Sequence, residues 1–133
     1  MSLETDYQVD GHRLVVTVTG EYDPEAAITE FSALLLYCRA RSLRQALVDY
    51  TQLGGQGFAT LEVLYASGAL AAYQSHLDRG GAPVSVAYLG SPTLVGAWSP
   101  GLELARAAGL DAIVTTDREE ALAWLDKAHE SQR

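Results

Sequence analysis

Asp49-Tyr50-Thr51 closes an apolar run, and Gly54-Gly55-Gln56-Gly57 follows shortly after it. A glycine loop between a strand and a helix can aim backbone N–H groups at an anion. This one lacks the lysine and hydroxyl of a phosphate loop, and it is not a G-x-G-x-x-G turn. We read it as a turn that lets the following helix pack close to the sheet. His12, His76 and His129 show no metal-ligand spacing, and the single cysteine, Cys38, cannot complete a zinc site. We read all three histidines as surface residues. No G-x-S-x-G is present. Glu25 and Glu119-Glu120 stand at helix starts, where they complement the dipole rather than forming an acid–base pair. The residues thus supply no catalytic set, no metal ligands and no cofactor motif. We expect a non-enzymatic protein.

A second grouping is polar and lies at strand ends. Asp49, Thr51 and Gln52 follow one predicted strand; Ser91 and Thr93 follow the next; Thr115 and Asp117 follow the last. Ligands of open α/β sheets bind outside the carboxyl ends of the strands. A partner loop or a small polar ligand could use this rim. Ser91 and Asp117 are equally explained as helix caps. Trp98 precedes Ser99-Pro100, and a tryptophan on a broken segment could close a pocket or anchor a partner.

The elements that must place these residues are readable. Tyr7–Asp10 and Arg13–Thr19 read as strands, with Asp10-Gly11 as a two-residue hairpin turn. Asp23-Pro24-Glu25 opens a helix, with Ile28, Phe31, Leu34, Leu35 and Cys38 on one face. Cys38 reads as a small core residue. Gln45–Tyr50 is a third strand, and 51–57 a glycine-rich loop. Phe58 to about Leu77 is a second helix, in which Leu61, Leu64 and Tyr65 are available for packing. Its small residues, among them Gly68, Ala69 and Ala72, permit close approach of another element. They also suggest self-pairing, and we expect a homodimer.

Arg79-Gly80-Gly81 ends that helix, and Val84–Leu89 is apolar on both faces, as a central parallel strand is. Pro100 predicts a break at Ser99, with a helix from Pro100 to Ala108 closed by Gly109. Ala112–Thr115 is a fifth strand. Asp117 caps a final helix whose apolar side is Leu122, Leu125 and Ala128. The pattern β-β-α-β-α-β-α-β-α predicts an α/β fold. It is an open, mixed, mostly parallel five-stranded sheet with an N-terminal antiparallel hairpin and helices packed on it. Residues 1–133 form one domain, with 1–5 and 130–133 expected to fray.

Composition sets the outer limits. The 133 residues are 48% hydrophobic and 20% charged, enough for a core without disulfides or metal. The net charge of −8 argues against nucleic acid and anionic membrane as partners. The basic residues are scattered apart from Arg39, Arg41 and Arg44, which suit a helix end. No apolar stretch is long enough to span a bilayer. No signal peptide is visible, and with one cysteine we expect a cytoplasmic location.

Three stretches carry a family resemblance. They are Leu14-Val15-Val16-Thr17-Val18-Thr19-Gly20, Leu47-Val48-Asp49-Tyr50-Thr51, and Thr116-Asp117-Arg118-Glu119-Glu120-Ala121-Leu122-Ala123-Trp124-Leu125. With the element order, they resemble the SpoIIAA-like superfamily that contains STAS domains, over roughly Tyr7 to Ala128. The resemblance implies a regulatory or protein-interaction module. The best-known relatives are anti-anti-sigma factors switched by phosphorylation of a serine at the start of the helix after the third strand. Asp49-Tyr50-Thr51 matches the first part of that motif in type. Gln56-Gly57-Phe58-Ala59 does not match the second, and Thr60 is the one hydroxyl nearby, so the switch is not carried over. The alternative is a binding domain for a lipid-like or nucleotide-like ligand on the carboxyl-end rim.

Overall fold

The computed structural model describes residues 4–21, 24–54 and 58–131. In chain order the elements are β1 (Glu4–Asp10), β2 (Arg13–Glu21), α1 (Pro24–Arg41), β3 (Gln45–Asp49), β4 (Leu53–Gly54), α2 (Phe58–Asp78), β5 (Ser85–Leu89), α3 (Pro92–Ala107), β6 (Ala112–Thr115) and α4 (Arg118–Ser131). The sheet runs β1-β2-β3-β5-β6. β1 and β2 pair antiparallel, and the remaining pairs are parallel. This is the predicted open, mostly parallel α/β sheet.

Strand parity divides the core in two. Leu14, Val16, Val18, Ala46, Val48, Val86 and Tyr88 face one side. There they meet Phe31, Leu34 and Cys38 of α1, Ala69 and Tyr73 of α2, and Leu94, Trp98 and Leu102 of α3. Leu47, Ala87 and Leu89 face the other side, where Ala121 and Leu125 of α4 cover them. Continuous apolar runs in β3 and β5 follow from burial on both faces.

A polar clasp holds α4. Arg13 Nη2 lies 2.6 Å from Asp126 Oδ1 and donates to Gln45 Oε1 at 3.2 Å. Gln45 Nε2 in turn donates to the Leu125 carbonyl. Gln45 is fully buried, so these bonds replace water that it has lost.

Several expectations need correction. The two hairpin residues are Gly11 and His12, because Asp10 pairs with Arg13. Gly11 has φ 63° and His12 does not share the left-handed region. A type II′ turn demands positive φ at its first central position alone, so the glycine sits there. β1 begins earlier than Tyr7, at Glu4, with Glu4 and Thr5 paired to Thr19 and Val18. Glu130 and Ser131 likewise continue α4. The short β4 falls in the expected loop and pairs with the end of β2.

Pro100 does not break the chain: α3 is one helix from Pro92 to Ala107. Leu94 and Trp98 before the proline, and Leu102 and Ala105 after it, are all buried on the same core. A proline inside a helix costs about 3 kcal/mol. Burying each large apolar side chain returns about 1.5–3 kcal/mol, so the packed residues outweigh it. The carbonyl that loses its N–H partner belongs to Gly96, an exposed position that water can reach.

Gly68 of α2 is used inside the chain. A Cβ on Gly68 would collide with Ile28 Cδ1 of α1, so the two helices approach as closely as they do because no side chain intervenes. Leu61, Leu64 and Tyr65 fall among side chains outside the described residues. So do Asp23, the expected cap of α1, and Gly55-Gln56-Gly57.

The histidines are not all surface residues. His76 is buried, with Nε2 2.8 Å from the Ala82 carbonyl, to which it donates. His12 is exposed but stacks on half-buried His129, ring centroids 4.0 Å apart. Cys38 is fully buried, as expected, and burial pushes its thiol up to about 12.

Candidate functional site

Parallel register brings the predicted polar residues to one end of the sheet. Asp49 is level with Leu89, and Leu89 with Thr115, on three adjacent strands. Thr51 and Gln52 follow β3 and are exposed; Ser91 and Thr93 follow β5. The strand ends are tied together by backbone bonds from Tyr50 N–H to the Leu89 carbonyl and from Gly90 N–H to the Thr115 carbonyl.

Five side chains on this rim, those of Asp49, Thr51, Ser91, Thr115 and Asp117, have a local task. Asp49 Oδ1 accepts from the Thr51 N–H at 2.8 Å and from the Thr51 hydroxyl at 2.6 Å, an Asx turn that fixes the chain leaving β3. Ser91 Oγ accepts from the Leu94 N–H at 3.2 Å and caps α3. Thr115 is buried, and its Oγ1 accepts from the Asp117 N–H at 3.1 Å. Asp117 Oδ1 accepts from the Glu119 N–H at 2.9 Å and caps α4. Thr93 and Gln52 are exposed. The side chain of Thr60 lies outside the described residues.

Sequence reasoning missed Arg118. Its Nη1 stands 3.7 Å from Asp49 Oδ2, so the other carboxylate oxygen faces a guanidinium across the rim. A pair this long, with Arg118 half-exposed, is worth under about 1 kcal/mol. The signal was available: a cation in the first turn of a helix opposes the dipole, and such a residue calls for a reason.

Trp98 does not belong to the rim surface. It is 2% exposed and meets Tyr50 and Tyr88 edge-to-face, with ring centroids 5.4 and 5.3 Å apart. Tyr50 and Tyr88 are 5.5 Å from each other. Because α3 is continuous, the tryptophan is carried inward on a helix instead of outward on a loop. The aromatic trio fills the space under the strand ends on this side of the sheet. The rim is therefore a polar surface over a packed aromatic floor. Among the described residues no group of three or more His, Cys, Asp or Glu could hold a metal ion.

No family model matches the chain, and no curated protein matches it. Solved structures do. An anti-sigma factor antagonist from Mycobacterium paratuberculosis superposes with a TM-score of 0.53 over 92% of each chain, at 14% identity. The anti-sigma factor antagonist SpoIIAA in its unphosphorylated form superposes with a TM-score of 0.53, over 93% of this chain and 97% of its own, at 14% identity. The chain has the SpoIIAA-like fold. An uncharacterized Shewanella loihica protein described as SpoIIAA-like gives a TM-score of 0.52 over 93% of each chain, at 20% identity. At these identities the likeness is one of fold, and the SpoIIAA-like sheet order explains why the rim forms where it does. Among the described residues, no helix is long and apolar enough to cross a membrane.

Proposed function

We propose that this domain is a non-enzymatic regulatory module that binds a protein partner through the carboxyl-end rim of its sheet. The observation that carries the reading is the rim itself. Asp49, Ser91, Thr115 and Asp117 hold turns and caps, so they shape a surface rather than converge on a reacting atom. Above them Thr51, Gln52, Thr93 and Arg118 are exposed and polar, as the edge of a transient protein interface is. The fold shared with anti-sigma factor antagonists supports the same class of role. The aromatic floor of Tyr50, Tyr88 and Trp98 weighs against the small-ligand alternative, because it occupies the volume that such a ligand would need. The phosphoserine switch of that family forms no part of this proposal.

A photo-crosslinking amino acid placed at Thr51 or Thr93 tests the reading in the living host. A single protein band should form from both positions, and none from Leu104, which is 73% exposed on α3. Identical products from all three positions, or none from the rim, would refute it.

A further inference from the structure

A groove of about 240 Å³ runs between the C-terminal halves of α1 and α2. Parallel topology places it at the opposite end of the molecule from the rim, because both helices end where the next strand begins. Its floor is Leu35 and Ala72, and Leu36, 64% exposed, stands at its mouth. Arg39 of α1 and Arg79 just beyond α2 line it from either side, and among the described residues no carboxylate does. Among the described residues, neither guanidinium makes an ion pair or a hydrogen bond. On a chain of net charge −8, two cations that line one groove without a counter-charge among the described residues are conspicuous.

Arg39 and Arg79 both complement helix C-termini, but that role can be met in any direction around the helix. It does not explain why both edge one groove beside an exposed leucine. We propose that this groove is a second docking surface, and that it takes an acidic amphipathic peptide segment of a partner protein. Leucine-like side chains of the segment would cover Leu35, Leu36 and Ala72, and its carboxylates would meet the two guanidinium forks. The volume is below the range of about 300–1,000 Å³ typical of small-molecule pockets. Ser32, Ser75 and His76 complete a lining whose polar donors a simple anion could also meet, which competition with inorganic phosphate separates. The groove and the rim are separate surfaces, so this inference stands or falls independently of the function proposed above.

The test uses a fluorescein-labelled peptide of about twelve residues, with glutamates on one helical face and leucines on the other, followed by fluorescence anisotropy. The full chain should bind it in the micromolar range, more weakly as salt rises through the range where the Debye length falls below about 8 Å. Arg39→Glu with Arg79→Glu should weaken binding at least about tenfold. Leu36→Asn should weaken it while leaving its salt dependence unchanged, and Arg118→Gln on the rim should leave it unaltered. All three groove positions are exposed, and matching circular dichroism melts would establish that the variants fold. Equal binding by the charge-reversed protein, or by a peptide with lysine in place of glutamate, would overturn the proposal. Displacement by an equal concentration of inorganic phosphate would replace it with a simple anion site. Self-association that disappears on reversing the two arginines would replace the partner peptide with a second copy of the chain.

Discussion

Glu30 should make the protein less stable as pH rises. It sits on the inner face of α1 and is 8% exposed. Its Oε1 is buried with no hydrogen-bond partner among the described residues. Desolvation raises its carboxyl from 4.5 to about 7, and the carboxylate in turn pushes up the nearby Tyr7 hydroxyl, which burial has already raised. The folded state therefore holds the proton more tightly than the unfolded state does. Below the unfolded value both states are protonated, and the group contributes no penalty. As pH rises from 4.5 to about 7, the unfolded chain ionises first and stability falls by about 1.4 kcal/mol per pH unit. Above about pH 7 the loss levels off near 3 kcal/mol, a large share of the 5–15 kcal/mol typical of a domain. Urea unfolding followed by circular dichroism at pH 5 and pH 8 measures this directly. Glu30→Gln keeps the shape and removes the ionisation, so its stability should vary far less between those two values. At pH 8 the variant should be the more stable protein. A Glu30→Gln variant with the same pH dependence as the parent would refute the argument.

Other consequences follow from the core. Arg13→Met leaves buried Gln45 Oε1 without its donor and should cost about 1–3 kcal/mol in urea unfolding, part of which Gln45→Leu in the same chain recovers. Trp98→Ala should cost about 3–5 kcal/mol and reduce near-ultraviolet circular dichroism, because Tyr50 and Tyr88 lose their common neighbour. A tryptophan on the rim surface would instead cost little. Cys38 should react with Ellman's reagent at pH 8 only when the chain is unfolded, since its thiol is buried and pushed up to about 12. Stoichiometric reaction within seconds in native buffer would contradict that burial.

What the sequence reveals depends on how local the cause is. β2 and β5 are legible because β-branched and apolar runs have few alternatives, and the caps at Ser91 and Asp117 because the bond spans only two or three residues. Register then follows, since parallel pairing of β3, β5 and β6 leaves one arrangement of their ends. Pro100 misleads because a local rule meets a non-local answer: the core contacts of Trp98 and Leu102 hold the helix through it. The same error moved Trp98 from the interior to the surface. The Arg118–Asp49 pair and the His12–His129 stack join residues far apart in sequence, and no periodicity encodes such meetings. β4 is two residues long, too short to carry a pattern.

The uneven cover of the sheet also has a history written in time. Three helices protect one face, and on the other, among the described residues, α4 alone covers Leu47, Ala87 and Leu89. A ribosome makes α4 after every strand beneath it. Leu47 is translated about 70 residues before Ala121, so at about 5–20 residues per second that apolar strip waits roughly 4–15 seconds for its lid. During synthesis, the nascent chain is thus a half-clad sheet with one bare side, and that is the face on which a chaperone would find it.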